Sequence, residues 1–287
     1  MEKTASFANV QSMNLDNYTV TAIPDGGAYI QATTMYPTSD SEEWGKHTDL
    51  TDDSERVVVT VGGFLIEAGD KKILMDLGYG PQIVKFPGFG PFIGGKYLAS
   101  LAETDVDPEE ITDVVFTHLH CDHTGWTSVE KDGVRQLTFP NAAYWCSQPE
   151  WEYWVNNPGG LGPDQEVVLD PLKDVIRFAV EGQEIAPGLF VHITPGHTPG
   201  LLILELRGEE NTLWFTSDIF HSTVQFREKP WYTVFDIDHE TAAETRAHYL
   251  PAFLKENAVL ADCHFSDHVF GKLEEKSGKL VWIPIQQ

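Results

Sequence analysis

Basic residues are scarce in this chain: 19 Lys and Arg stand against 44 Asp and Glu, a formal charge of −25. A field of that sign repels phosphate backbones and anionic membrane surfaces, which disfavours nucleic-acid and membrane partners but assigns none. Cysteine is sparse too, three in 287 residues. The odd count leaves no disulfide framework and points to a reducing compartment, so a cytoplasmic setting is expected. No apolar run approaches the ~20 residues a membrane-spanning helix needs. The start, Met1-Glu2-Lys3-Thr4-Ala5-Ser6, has no hydrophobic segment behind its lysine, so no signal peptide is expected. Short repeats of the solenoid kind are absent as well. What remains is a 41% hydrophobic composition, enough to fill the core of one large domain spanning residues 1–287.

Against that background, residues 118 to 123 stand out as His-Leu-His-Cys-Asp-His, directly after Val114-Val115-Phe116-Thr117. Imidazole and carboxylate are the usual nitrogen and oxygen donors for zinc and similar divalent ions. In an extended segment, alternation sends His118 and His120 to the same side. The turn that follows brings Asp122 and His123 to a neighbouring point, so two adjacent metal positions are expected. Three more segments end in a donor. His197 lies in the turn Thr194-Pro195-Gly196-His197-Thr198-Pro199-Gly200, Asp218 closes Leu213-Trp214-Phe215-Thr216-Ser217, and His264 closes Ala258-Val259-Leu260-Ala261-Asp262-Cys263. Singly, each such residue is more often a cap or a hydrogen-bonded core group. Four strand ends terminating in donors form a pattern.

With these residues in order, the chain resembles the metallo-beta-lactamase superfamily over nearly its whole length. The resemblance implies an α/β architecture, a four-layer αβ/βα sandwich of two mixed sheets with helices on the outer faces. Carried over by position, His118, His120 and His197 would hold one metal, and Asp122, His123 and His264 a second, with Asp218 bridging. Asp76, in Met75-Asp76-Leu77-Gly78, would orient a ligand histidine from behind. The bridging Asp218 sets the chain apart from true zinc beta-lactamases and points to dinuclear hydrolases. The tail from Asp218 through His221, Asp236-Ile237-Asp238 and Thr245-Arg246 resembles the quorum-quenching lactonase and methyl-parathion hydrolase branch, as do Phe139-Pro140-Asn141-Ala142 and Trp151.

The chain departs from that pattern at several places. Leu201 stands where many relatives carry His, and Ser217 and Cys263 replace more usual glycines. His221 occupies the place of a tyrosine found in several acyl-homoserine lactonases. It either donates to the substrate or leaving group, or merely supports Asp218. The resemblance implies water activated between two divalent ions, Zn first, with Fe, Mn, Co or Ni as alternatives. No Ser or Cys nucleophile is then needed, and Cys121 reads as a packed side chain. Asp122 and Asp218 are the other residues expected to act in catalysis, the first by orienting the water and the second by passing its proton on. The implied reaction is opening of a lactone, acyl-homoserine lactone first. The rivals are an organophosphate triesterase or aryl esterase, then a thioesterase, and outside catalysis a metal-binding sensor.

Along the rest of the chain, Tyr18 to Ile23 reads as a strand stopping at Pro24-Asp25-Gly26-Gly27. Val57–Thr60, Phe64–Glu67 and Lys72–Asp76 read as successive strands, and Leu98–Glu103 as helix. Asp107-Pro108-Glu109-Glu110 has the cap and first-turn composition of a short helix. Residues 33–55 show no period and read as a long loop or lid, available for a homodimer contact. The Gly- and Pro-rich stretch 78–95 reads as an irregular loop anchored by Phe86, Phe89 and Phe92, one or two of them walling the pocket. Trp126 is the expected substrate contact. Ala243, Ala247, Leu250 and Leu254 repeat at helical spacing as a packing stripe that Pro251 shortens.

Overall fold

The computed structural model describes residues 5–85, 89–228 and 230–285. Among them the strands run in chain order as β1 (Gln11–Leu15), β2 (Tyr18–Gln31), β3 (Arg56–Ala68), β4 (Lys71–Met75), β5 (Ile83–Lys85), β6 (Pro91–Ile93), β7 (Asp113–Val115), β8 (Ser128–Lys131) and β9 (Val134–Leu137). They continue as β10 (Ala143–Ser147), β11 (Ile176–Ala179), β12 (Glu184–Ala186), β13 (Leu189–Ile193), β14 (Leu202–Arg207), β15 (Thr212–Phe215), β16 (Ala258–Ala261), β17 (Phe270–Lys276) and β18 (Lys279–Pro284). One sheet has the order β11-β10-β7-β4-β3-β2-β6-β5, with β1 paired to β2. The second runs from β12 to β18 in chain order, and β8–β9 is a separate hairpin.

Strand alternation sorts the apolar residues into layers. Phe64, Ile66 and Ala68 of β3 face Leu202, Leu204 and Phe215 of the second sheet, forming the core between the sheets. Leu65, from the other face of β3, joins Leu74, Val114, Leu101 and Trp154 under the helices Tyr97–Ala102 and Gln148–Asn156. Ile203, Trp214 and Leu260 pack outward against Phe253 of the helix His239–Phe253. Helix, sheet, sheet, helix is the αβ/βα sandwich. Strands β4, β7 and β10 are parallel neighbours covered on both faces, which is why they read as unbroken apolar runs.

Several local expectations change. Pro24-Asp25-Gly26 does not end a strand; it is a bulge, and β2 continues to Gln31. Gly62-Gly63 likewise leaves β3 as one strand. A Cβ at Gly63 would lie 2.2 Å from the Met75 carbonyl, so those glycines permit close sheet contact rather than a turn. Residues 33–55 carry helical turns at Ser41–Trp44 and Thr48–Leu50, held by buried Tyr36, Trp44 and Leu50. The short turns average out any period. The 78–95 stretch contributes the β5–β6 pair to a sheet edge. Phe89 packs on Phe235, and Phe86 lies outside the described residues. In the helix His239–Phe253, Ala243 and Ala247 are exposed. Leu250 and Leu254 pack as expected, but Ala242, Tyr249 and Phe253 complete the stripe in place of Ala243 and Ala247, the inward face lying one position off the expected alanines.

Candidate metal centre

The donors gather where β4, β7, β15 and β16 end. Beyond Val115 the chain runs through Phe116 and Thr117 to His118, and Thr117 is the joint between the sheets. Its backbone N–H and hydroxyl donate to Asp76 at 2.8 and 2.7 Å, its hydroxyl accepts from Ser217 at 2.8 Å, and its carbonyl accepts from Leu202 N at 2.7 Å. Asp76 and Ser217 both adopt positive φ, +59° and +45°. Ser217 thus takes the conformation a glycine adopts at no steric cost, held there by its bond to Thr117. His120 caps the one-turn helix Cys121–Thr124, which swings Asp122 and His123 to the far side of the cluster. His197 sits in a turn that needs Gly196, where φ is +136° and a Cβ would lie 2.3 Å from Ala242 N.

Two sets of donors result, and they share one carboxylate. His118 Nε2 is 3.0 Å from His120 Nδ1, which is 2.9 Å from His197 Nε2. Asp218 Oδ2 lies 3.2 Å from His197 Nε2 and 3.8 Å from His118 Nε2. Its other oxygen, Oδ1, is 3.3 Å from His123 Nε2 and 3.1 Å from His264 Nε2, themselves 3.2 Å apart. Donors bound tetrahedrally at about 2.1 Å from one ion sit about 3.4 Å apart, so both sets have the spacing of a coordination sphere. Asp122 Oδ2 is 3.8 Å from His123 Nε2.

The ring nitrogens facing away from this cluster are held. Asp76 Oδ2 meets His123 Nδ1 at 2.9 Å, and the Thr60 carbonyl accepts from His264 Nδ1 at 2.8 Å. Asp236 Oδ1 meets His197 Nδ1 at 3.1 Å, and Thr117 Oγ1 lies 3.1 Å from His118 Nδ1. Such partners fix tautomer and ring orientation. Burial pushes His118 and His120 well below the ordinary imidazole range, keeping them neutral. Burial would raise the Asp218 carboxyl, but His264, His123, His118 and His197 around it hold it well below its usual range. For His123 and His264 burial is opposed by Asp218, which raises both, His264 to about 9. His221 Nε2 is 3.1 Å from Asp218 Oδ2 but misaligned for a hydrogen bond, and neither of its buried ring nitrogens has such a partner. Burial lowers its pKa, leaving a neutral ring at the cleft wall.

The cleft above the donors is walled by Ile30, Met35, Val59, Phe92, Leu161 and Phe235. Of the expected site residues, His118, His120, Asp122, His123, His197, Asp218, His221 and His264 come together here. Trp126 does not line this cleft: it is buried, its Nε1 donating to Asp25 at 3.0 Å. Asp25 also accepts from the backbone N–H groups of Tyr79, Gly80, Gly95, Lys96 and Tyr97. It is the post on which the 78–97 loop is hung, and indole N–H supply draws Trp126 to it. Asp25, Asp236, Asp262 and Glu150 were not singled out as support for the site. Glu150 accepts from Leu119 N, Gly200 N and Trp154 Nε1, tying the His118–His120 segment to the His197 turn. Among the described residues, no helix is long and apolar enough to cross a membrane.

Residues 63–252, which contain all these donors except His264, match the family model described as the metallo-beta-lactamase superfamily. The chain belongs to that superfamily. Its curated relatives include the N-acyl homoserine lactonase AiiA of Bacillus thuringiensis subsp. kurstaki, 25% identical over 187 residues, 60% of this chain and 69% of the relative. The lactonase AiiB of Agrobacterium fabrum is 25% identical over 171 residues, 55% of this chain and 61% of that one. Among solved structures, the dizinc quorum-quenching lactonase AidC in complex with a product superposes with a TM-score of 0.82 at 21% identity, covering 98% of this chain and 99% of AidC. The hydrolase AbOPH superposes equally well, 0.82 at 26% identity, over 98% of this chain and 99% of its own. AidC, at its lower identity, attests the fold.

Proposed function

We propose that this member of the metallo-beta-lactamase superfamily is a dinuclear metal-dependent hydrolase that opens lactones, acyl-homoserine lactone first among them. The observation that carries the reading is Asp218, whose two oxygens face two different histidine sets at 3.1–3.3 Å. A carboxylate so placed holds two ions side by side. His118, His120 and His197 fit one ion, and His123, His264 and Asp122 the other, with zinc the expected metal for a nitrogen-rich set of this kind. When bound, such a pair supplies Lewis acidity and an activated water, the nucleophile of the reaction. The N-acyl homoserine lactonases among the relatives support the substrate class.

The side chains of this protein do the rest. Asp122, half turned to the cleft, accepts a hydrogen bond that orients the attacking water. Asp218 takes the proton set free on attack, and neutral His221, 3.1 Å away, presents its N–H to the substrate carbonyl or the departing alkoxide. Met35, Phe92, Phe235 and Ile30 seat the acyl chain and exclude bulk water. Residues 33–55 act as a lid: Met35 reaches the cleft, and Arg227 binds Asp49 at 2.9 Å while His47 meets Glu228 at 3.1 Å, pinning the segment to Arg227 and Glu228.

The test is kcat/KM of metal-replete enzyme on one panel of short- and long-chain homoserine lactones, a δ-lactone, an aryl ester, a thioester and an aryl phosphotriester. A lactone preference of about a hundredfold, roughly 3 kcal/mol of differential transition-state binding, is expected. A phosphotriester or aryl ester leading the panel would keep the metal chemistry and overturn the substrate.

A further inference from the structure

No hydrogen bond aims the His221 ring, since neither of its buried nitrogens has such a partner among the described residues. Its neighbours are the Asp218 carboxylate and three other rings, His197 at 4.8 Å, His264 stacked at 5.7 Å and Phe235 at 6.0 Å between centroids. The backbone of His221 is gripped instead. His221 N donates to Gln225 Oε1 at 2.7 Å, and the same oxygen accepts from the Tyr36 hydroxyl at 3.4 Å. All three residues are buried. A backbone N–H can only donate, so the amide oxygen must face His221 and the amide nitrogen is left over. Gln225 Nε2 is indeed buried without a hydrogen-bond partner among the described residues. An orphaned donor of that kind costs stability. What offsets it is the one thing an apolar side chain could not supply, an acceptor shared by His221 and Tyr36.

Tyr36 follows Met35, a wall of the cleft, in the 33–55 segment. Burial pushes its hydroxyl well above the ordinary range, which keeps it a neutral donor. Gln225 lies on the one-turn helix Val224–Arg227. Arg227 on that helix binds Asp49, and Glu228 just past it meets His47. Three side chains from one turn therefore touch the lid segment, and one of them also holds His221. The Tyr36 contact is long for an O–H···O bond, usually about 2.7–2.8 Å, so a lid movement of about 0.6 Å toward Gln225 would tighten it. We infer that Gln225 is a positioning residue that couples the seating of the lid segment to the aim of the His221 ring. The inference rests on the role proposed above for His221 as donor to the substrate. An acyl chain seated against Met35 bears on the residue next to Tyr36, so filling of the cleft and orientation of His221 are linked through one amide oxygen.

The experiment is a double-mutant cycle on the full, metal-replete chain, run on whichever substrate of the panel above turns over fastest. The panel then judges the lactone reading and the cycle judges Gln225. Gln225→Met keeps the length of the side chain but puts a methyl group where the amide ends. It is expected to lower kcat by roughly 10- to 100-fold, the cost of misplacing a reacting group by up to about 1 Å, with KM and metal content within about twofold of wild type. In a His221→Phe background the same change should cost less than about twofold, because no donor is left to misplace. Tyr36→Phe should show the same pattern at roughly two- to tenfold, the range of one hydrogen bond, and should speed hydrogen exchange at the His221 amide. No loss of kcat in Gln225→Met, an equal loss in both backgrounds, or a loss confined to KM or metal content overturns the positioning role. Unchanged kcat and exchange in Tyr36→Phe overturns the link to the lid. If Gln225→Met does not fold, Tyr36→Phe with His221→Phe closes an equivalent cycle, and the exchange measurement by NMR needs no turnover.

Discussion

Replacing Asp76 by Asn isolates the support behind one ligand while leaving the ligand in place. Asp76 is fully buried and receives three hydrogen bonds, from Thr117 N, Thr117 Oγ1 and His123 Nδ1. Its φ of +59° is one that Asn tolerates, so the backbone turn should survive. An amide cannot accept at all three places. Turned one way, its NH₂ opposes the His123 ring N–H; turned the other, it opposes the Thr117 N–H. In the first case Thr117 Oγ1, which donates to the same oxygen as His123, must also turn its hydroxyl to accept from the NH₂; in either case at least one charge-assisted bond is lost, worth ~1.5–3 kcal/mol. If the whole loss falls on His123 as a ligand, affinity at the second metal position drops roughly 10- to 150-fold at about 1.4 kcal/mol per decade. The set of His118, His120 and His197 should change far less. The assay is a competitive chelator titration that resolves the two binding steps, with thermal unfolding of the metal-free protein as control for folding. An unchanged second step in a folded protein, or an equal loss at both steps, would refute the reasoning that Asp76 acts through His123.

The remaining predictions concern the same cluster. Asp218→Asn should lower kcat/KM by about a thousandfold or more and halve metal content, since the amide keeps one oxygen and one of the two histidine sets loses its carboxylate donor; near-wild-type turnover with two ions bound would sink the bridging role. His221→Phe should leave metal content intact and reduce kcat by roughly 10- to 100-fold. Unchanged kcat would reduce His221 to packing. Glu150→Ala should destabilise the fold by about 3 kcal/mol in urea unfolding, because three donors lose their acceptor. The two metal steps should also differ in pH dependence. His264 is raised to about 9 by Asp218, so below that pH an entering ion must displace its proton, and His123 shifts in the same direction. Affinity of the second step should therefore rise with pH by one to two decades per unit up to about 9 and less steeply beyond. His118 and His120 are already neutral, so the first step should stay nearly flat over the same range, as calorimetric titration at several pH values would show.

The donors were legible because histidine is an infrequent residue type and the seven expected ligands follow closely on the ends of β7, β13, β15 and β16. The sheet topology then does the convergence: β4 and β7 are parallel neighbours, as are β15 and β16, so their ends emerge on one edge. The residues behind the donors were not legible. Asp25, Asp236 and Glu150 meet their partners across 101, 39 and 50 positions of sequence, and nothing local marks a carboxylate that accepts from a distant turn. Trp126 misled for the same reason: closeness to His123 in sequence was taken for closeness to the cleft, whereas its ring is anchored on Asp25. Pro24–Gly27 and Gly62-Gly63 were misread as breaks because glycine and proline punctuate strands in general. Here they serve a bulge and a close sheet contact, features that appear only once β2, β3 and β4 are side by side.

That division has a physical cause that bears on the chemistry. A ligand must be a particular residue type, so composition alone confines it. A supporting group need only offer an oxygen at the right place, and here one histidine is held by Asp76, another by Asp236 and a third by the Thr60 carbonyl. At His264 a backbone carbonyl backs the ring and Asp218 is the carboxylate beside it, whereas His123 is flanked by three carboxylates, Asp76, Asp122 and Asp218. The two histidines that share Asp218 Oδ1 are therefore not equivalent. On the two-ion reading proposed above, His123, backed by Asp76, would be the stronger electron donor and the firmer anchor of the two.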